Sequence, residues 1–366
     1  MTRETKRIWA CVLLIIGIGL LALYSATYQN VRVSSQHFFS QVFFAVLGIA
    51  LMGLVSRVPY RFFYDAAYVL YGACAVLLLV VLVAGHSALG ATRWFTLAGI
   101  RFQPSELTKV AVIFLLARYF SSRHPRLSFD VRGSAQALLQ DLVYPGLLTG
   151  GAFLLIFLQP DLGTALLVFG IFVVMLYASG IRHRVFWVFL GLCLAFIPVG
   201  LSFLKPYQKS RLLVFLNPNI DPMGAGYTII QSRIAIGSGQ IFGKGWLAGT
   251  QNQLNFLPER HTDFIFPVIG EEWGFLGGAF LLFCYFVLIH SGLIVASRMK
   301  DRFGYLLAVG IVTILSLQVI INMGMTMGAS PVVGITLPFV SYGGTSFLVS
   351  SLMVGILLGM GRRRPV

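Results

Sequence analysis

"IWACVLLIIGIGLLALYSAT", residues Ile8 to Thr27, is an apolar run without one charged side chain. A helix of about 20 such residues matches the thickness of bilayer hydrocarbon. The pattern recurs along the chain, and ten spans are predicted: 8–27, 38–55, 66–84, 105–121, 142–158, 162–180, 185–203, 265–297, 304–327 and 344–361. Lipid offers a backbone no hydrogen-bond partner but its own helix, so the fold class read from these runs is an all-α polytopic membrane protein. Apolar residues at 57% of the chain, 31 Phe and a mean hydropathy of +0.85 exclude a soluble globular domain.

Arg3, Lys6 and Arg7 precede the first run as they would in a signal peptide, but the run is long and a polytopic chain follows, so it is read as a retained span. Most of the 27 Lys and Arg then fall on the side of the N-terminus, including Arg57, Arg61, Arg118, Arg182, Arg184, Arg298 and Arg362. By the positive-inside rule both termini are cytoplasmic. The formal charge of +15 is scattered over membrane-flanking loops without a recognition stripe. Anionic headgroups account for it, and nucleic acid is not expected as a partner. Cys11, Cys74, Cys193 and Cys284 all lie in apolar spans, which excludes a disulfide framework and reads as packing.

One connection, 205–264, is about 60 residues long where the others are short, a length that signals function or disorder. Its Phe, Leu, Ile and Trp content argues for order, and "GYTIIQSRIAIGSG" has the pattern of an interfacial helix. With no internal repeat, 1–366 is read as one membrane domain containing this outer loop. "GSGQIFGKGW" fails both the Walker and the dinucleotide patterns. Its glycines are expected to supply turns, leaving Lys244 as a point charge near lipid or substrate phosphates.

Charge is scarce, yet Glu259, Arg260, His261, Asp263, Glu271 and Glu272 crowd into "NFLPERHTDFIFPVIGEEWGF". Asp263 begins the eighth span where water ends and the apolar wall begins. Partial desolvation there makes it a candidate base, and a helix-capping carboxylate is the plainer alternative. Glu259, His261 and Asp263 make at most part of a metal site. In "ATRWFTLAGIRFQPSELTK", Gln103, Glu106 and Lys109 fall on one face of a helix starting near Pro104. They form either a self-neutralising pair or the wall of a polar groove. Arg93 and Trp94 precede them, Trp94 being an interfacial residue or a surface for sugar stacking. Asp161 in "LQPDLGTA" reads first as a helix cap. "GITLPFVSYGGTSF" offers backbone N–H groups to an anion, or simply a tight turn, and contributes Ser341 to the substrate-contacting candidates.

Together "ATRWF", "IRFQPSE", "QPDLGTA", "AIGSGQIFGKG", "LPERHTDFIFPVIGEEWGF" and "LPFVSYGGTS" resemble the SEDS family of shape, elongation, division and sporulation proteins. The likeness covers nearly the whole chain, and "TQNQLNFLPERHTDFIF" is closer to the elongation branch than to the division branch. It implies a ten-helix glycosyltransferase of the bacterial cytoplasmic membrane that polymerises lipid II, an undecaprenyl-diphosphate-linked disaccharide peptide, into glycan strands at the outer face. It also implies a class B penicillin-binding protein as transpeptidase partner, beside other elongation-complex proteins. Asp263 corresponds to the motif Asp essential for polymerisation, Trp94 to the outer Trp, and Glu106 and Lys109 to the membrane-embedded pair. Gln240 stands where many relatives carry Gly.

Such chemistry needs a base for a sugar 4-hydroxyl, worth about 10² to 10⁴-fold, and Asp263 is the candidate. The departing diphosphate needs cations, for which Arg211, Lys244, Arg260 or a bound divalent ion such as Mg or Mn are available. One displacement at an α-linked anomeric carbon inverts it to a β-linkage. A lipid II flippase would need a polar path through the whole membrane, whereas the ionisable residues inside these spans cluster near the outer side. A non-catalytic scaffold would tolerate Asp263→Asn. A glycoside hydrolase would need two flanking carboxylates, and Pro258 makes a shared helix for Glu259 and Asp263 doubtful.

Overall fold

A computed structural model of the chain describes residues 2–28, 31–84, 86–88, 91–97, 100–123, 139–224 and 226–362. Fourteen helices are labelled in order among them: α1 Arg3–Thr27, α2 Val31–Val55, α3 Arg61–Ala84, α4 Pro104–Ser121, α5 Tyr144–Leu158, α6 Leu162–Ala178, α7 His183–Ala195, α8 Ile197–Ser202, α9 Pro206–Leu216, α10 Tyr227–Ser238, α11 Thr250–Gln253, α12 Ile265–Ser297, α13 Arg302–Met327 and α14 Gly344–Arg362. Eight stretches among the described residues are long and apolar enough to cross a membrane, with α5 extended by a π-helical turn at Leu139–Val143 and α7 with α8 counting as one. Two expected spans fall outside that set: α4, which carries Glu106 and Lys109, and α6, an apolar helix of 17 residues.

The helices begin and end where local chemistry dictates. Asp301 caps α13 by accepting from Gly304 N at 2.8 Å, and Gly328 closes it in the left-handed region at φ 74°. Pro198 falls within the first turn of α8, where its missing N–H and ring separate that helix from α7. The centre of the bundle is α13, packed on α4, α6 and α12, while α14 lies along α2 and α1 along α12. Apolar burial gives helices little reason to associate inside lipid, so close approach of small residues matters. A Cβ on Gly355 would stand 3.1 Å from Met52 O and one on Gly359 2.9 Å from Ser56 O, so these glycines, one turn apart, let α14 meet the α2 backbone.

Among the described residues an antiparallel sheet of β1 His86–Ala88, β2 Ala91–Leu97 and β3 Ile100–Phe102 lies between α3 and α4. Among its described residues the connection from α8 to α12, expected from sequence as a long loop, carries α9, α10 and α11, and the side of the bundle on which it lies is the loop face.

α12 has 33 residues, about 50 Å at 1.5 Å per residue and more than a bilayer core requires. It breaks at Gly274, where φ 64° and ψ −160° leave the helical region. The break frees backbone groups, and the segment 240–245 satisfies them: Lys244 N donates to Glu271 O and Gly245 N to Glu272 O, both at 3.0 Å, while Phe275 N and Leu276 N donate to Gln240 O and Ile241 O at 2.8 and 3.1 Å. A Cβ on Gly243 would lie 2.2 Å from Glu272 O. The glycines of "GSGQIFGKG" therefore do more than turn the chain. They bring one backbone against another.

Candidate active site

Asp263 sits half-buried at the end of an irregular turn, 258–264, on the loop face. The turn is closed by Thr262 N and Phe264 N, which donate to Glu259 O at 3.1 and 3.2 Å, with Glu259 at φ 49°. The N-cap of α12 is Phe264, which makes no side-chain cap bond, so Asp263 lies one residue outside the capping position weighed for it. Asp263 O accepts from Asn322 Nδ2 of α13 at 3.0 Å. Beside the carboxylate stands Gly334 at φ 72°, where an added Cβ would lie 3.3 Å from Asp263 Oδ2. Glycine both permits that backbone and keeps one side of the carboxylate open.

The "LPFVSYGGTS" segment meets the same turn. Tyr342 N donates to His261 O at 2.9 Å. His261 stacks on His37 of α2, with ring centroids 5.1 Å apart at 14°, and Tyr342 lies 4.7 Å from His37. Burial pushes the His261 imidazole below its ordinary pKa; Glu259 opposes this, and His37 and Arg260 reinforce it. Ser341 is buried, and its Oγ accepts from Leu337 N at 2.8 Å, so it holds its own turn closed. Gln41 of α2 pins that turn, donating to Ser341 O and accepting from Gly343 N, both at 3.3 Å.

The second constellation is a buried polar cluster where α4 and α6 begin. Asp161 is the N-cap of α6, accepting from Thr164 N at 3.2 Å and Thr164 Oγ1 at 3.0 Å, which matches the capping role expected for it. It also accepts from Gln103 Nε2 at 3.1 Å and Ser105 Oγ at 3.5 Å. Lys109 Nζ, almost fully buried, lies 2.7 Å from Glu106 Oε1. The segment 331–335 joins the two constellations: a Cβ on Gly163 would meet Val333 O at 2.4 Å on one side, and Gly334 faces Asp263 on the other.

The three candidate cations separate. Arg211 of α9 is exposed, donates to Val332 O at 3.3 Å and lines a cleft with Pro160, Leu162, Gln208 and Pro331. Lys244 is not a free charge: its Nζ lies 2.8 Å from Glu271 Oε1 and 2.9 Å from Thr250 Oγ1. The lysine expected as a point charge is thus paired with a fully buried carboxylate while its own side chain keeps some exposure. Arg260 is half-buried, donating to Asn252 O, and burial lowers its pKa. Glu271 also accepts from Gln251 N at 3.0 Å and Asn252 N at 3.3 Å, the open N-terminus of α11. Glu272 accepts from Ser25 Oγ of α1. These two glutamates thus anchor the loop to the bundle.

Arg93 and Trp94 fall on β2, and their side chains lie outside the described residues. Among the described residues no three His, Cys, Asp or Glu side chains gather to hold a metal ion. Sequence reasoning missed Asn322, His37 and Tyr342. The one signal for Asn322 was an amide inside an apolar span, which costs too much to be idle.

Comparison with known proteins agrees with this architecture. Peptidoglycan glycosyltransferase MrdB of Escherichia coli (strain K12) is 41% identical over 358 residues, 97% of this chain and 92% of the relative. Stage V sporulation protein E of Bacillus subtilis (strain 168) is 38% identical over 356 residues, 96% and 94% of the two chains. A chain from a peptidoglycan synthase complex superposes with a TM-score of 0.81 at 32% identity, covering 97% of this chain and 96% of that one. The crystal structure of the rod shape determining protein RodA of Thermus thermophilus gives 0.70 at 30% identity, with coverage of 97% and 96%. The profile of the FtsW, RodA and SpoVE cell cycle proteins matches residues 5–364, and the chain belongs to that family, the SEDS proteins its motifs resemble.

Proposed function

We propose that this chain is a peptidoglycan glycosyltransferase that polymerises lipid II into glycan strands for cell elongation, with Asp263 as general base. Membership of a family whose relatives are named for this activity supports the reaction class. The observation that carries the residue assignment is the half-buried Asp263 carboxylate beside Gly334, on the face where the Arg211 cleft and the "SYGGTS" turn converge.

In this reading Asp263 takes the proton of the acceptor sugar's 4-hydroxyl as its oxygen bonds to the donor's anomeric carbon. The bond from that carbon to the diphosphate breaks on the opposite side, and the electron pair leaves on the phosphate oxygen, so the linkage inverts. Arg211 is the candidate to meet the developing charge. The donor carries its own leaving group, so no nucleotide is consumed. A divalent ion bound by the diphosphate would supply further charge neutralisation, with the Asp263 carboxylate a candidate to offer it an oxygen. Glu106, Lys109, Gln103 and Asp161 are assigned to the wall of the substrate groove, and Arg93, Trp94 and Ser341 to its rim.

The chain lies in the bacterial cytoplasmic membrane with both termini inside, which makes the loop face the outer one. The likeness to a chain from a complex that coordinates polymerization and crosslinking supports a class B penicillin-binding protein as partner. The test uses purified chain, with that partner, and labelled lipid II. Glycan polymer is expected without ATP or nucleotide sugar, and unchanged lipid II would count against the enzyme.

A further inference from the structure

Asn322 is fully buried on α13. Its Nδ2 donates to two main-chain carbonyls, Asp263 O at 3.0 Å and Ile335 O at 2.6 Å. Both partners are acceptors, so only the nitrogen end of the carboxamide can face them, and chemistry settles the orientation of the amide. Each N–H has one carbonyl. The two carbonyls belong to the carboxylate-bearing residue and to the neighbour of Gly334, whose bare Cα flanks that carboxylate. One side chain from a third element therefore spaces the two backbones that form the mouth of the site.

This spacing needs a device. Asp263 lies just outside α12, in a turn with Glu259 in the left-handed region, and Phe264 gives the helix no side-chain cap. Asp263 thus lies outside the regular helix, and Asn322 ties its main chain to α13. A merely structural reading of Asn322, satisfaction of two buried carbonyls, predicts lost stability alone. A positioning reading predicts lost turnover as well, because a carboxylate displaced by about 1 Å from a reacting hydroxyl costs up to about 10²-fold.

We propose that Asn322 is a positioning residue for glycosyl transfer, holding the Asp263 main chain against the Gly334–Ile335 segment so that the carboxylate meets the acceptor hydroxyl. The proposal rests on Asp263 as base. It is tested with Asn322→Ala, Asn322→Ser, Asp263→Asn and Gln318→Ala, the last removing another buried amide about one turn away on α13. Each full-length variant is assayed with its transpeptidase partner in liposomes for initial rates against labelled lipid II, alongside its melting temperature.

Asn322→Ala is expected to lower kcat about 10 to 10²-fold with KM within about twofold. Asn322→Ser, which keeps one donor instead of two, falls between it and the native chain, and Gln318→Ala loses stability while keeping kcat. Native kcat in Asn322→Ala overturns the proposal, as does a loss that only tracks melting temperature in the way Gln318→Ala does. If the alanine variant does not fold, native kcat in folded Asn322→Ser overturns it equally. An active Asp263→Asn would remove the base itself, whereas an inactive Asp263→Asn with a fully active Asn322→Ala removes only the positioning role.

Discussion

Lys244 Nζ lies 2.8 Å from Glu271 Oε1, tying the glycine-rich loop to α12 beside the break at Gly274. Glu271 is fully buried while Lys244 keeps some exposure, so the two ends of the pair are unequal. Lys244→Met leaves the carboxylate with Thr250 and two backbone donors but without its countercharge. Because Lys244 keeps some exposure, a loss below the ~3 to 5 kcal/mol of a fully buried pair is expected, read as a lower melting temperature. Arg211→Gln, on the exposed cation of the cleft, should leave the melting temperature unchanged and raise KM for lipid II. A thermal shift for Arg211→Gln and none for Lys244→Met would reverse the two assignments.

Glu106 and Lys109 form a buried pair in the first turns of α4. Glu106→Gln strands an ammonium in an apolar setting, at a cost of about 3 to 5 kcal/mol. Expression and activity should fall together. Glu106→Gln combined with Lys109→Met removes both charges and should recover much of the stability. Recovery of stability without recovery of polymerisation would assign the pair to the substrate groove. Recovery of both would assign it to the fold.

His261 gives the folded chain an acid sensitivity. Its pKa is pushed down by burial, so between the ordinary imidazole value of about 6.5 and the lower folded value the unfolded chain binds more protons than the native one. Stability is complete above about pH 6.5 and is lost as pH falls through that window. The stack on His37 opposes a charge on His261 in the same sense. The melting temperature of the native chain should fall on acidification below about pH 6.5, and His261→Asn should flatten that slope. Parallel slopes would show that the imidazole is not the titrating group.

The bundle was legible because lipid allows one backbone solution, so apolar runs marked α12, α13 and α14 to within a few residues. Asp161 was legible as a cap because the signal lies within three residues, Asp161 to Thr164. The docking of the glycine loop on Gly274 was not, since it joins segments more than a helix apart and its partners are backbone atoms that carry no sequence signature. The partner of Lys244 was hidden for the same reason: nothing local reveals which of the nearby carboxylates it meets. Asp263 stood out by scarcity of charge, while Asn322, its clamp, showed only as one amide in the apolar span "INMGMTMG", a signal that names no partner.

Asp263→Asn separates a base from a structural carboxylate. The position is outside the capping residue of α12, and its main-chain carbonyl, not its carboxylate, meets Asn322. An amide of nearly equal size therefore keeps the turn and its tie to α13 while removing the basicity. The fold, membrane insertion and partner binding should survive, with a melting temperature close to that of the native chain. Polymer from labelled lipid II should fall by at least about 10²-fold, the contribution expected of a positioned base. The contrast with Asn322→Ala is informative, because that variant keeps the base and loses the spacing, so its residual rate should exceed that of Asp263→Asn. A scaffold that recruits another polymerase would show no such order. Native polymer yield from Asp263→Asn would move the proton acceptor elsewhere on the loop face, with Glu259, four residues away and exposed, the next carboxylate to replace.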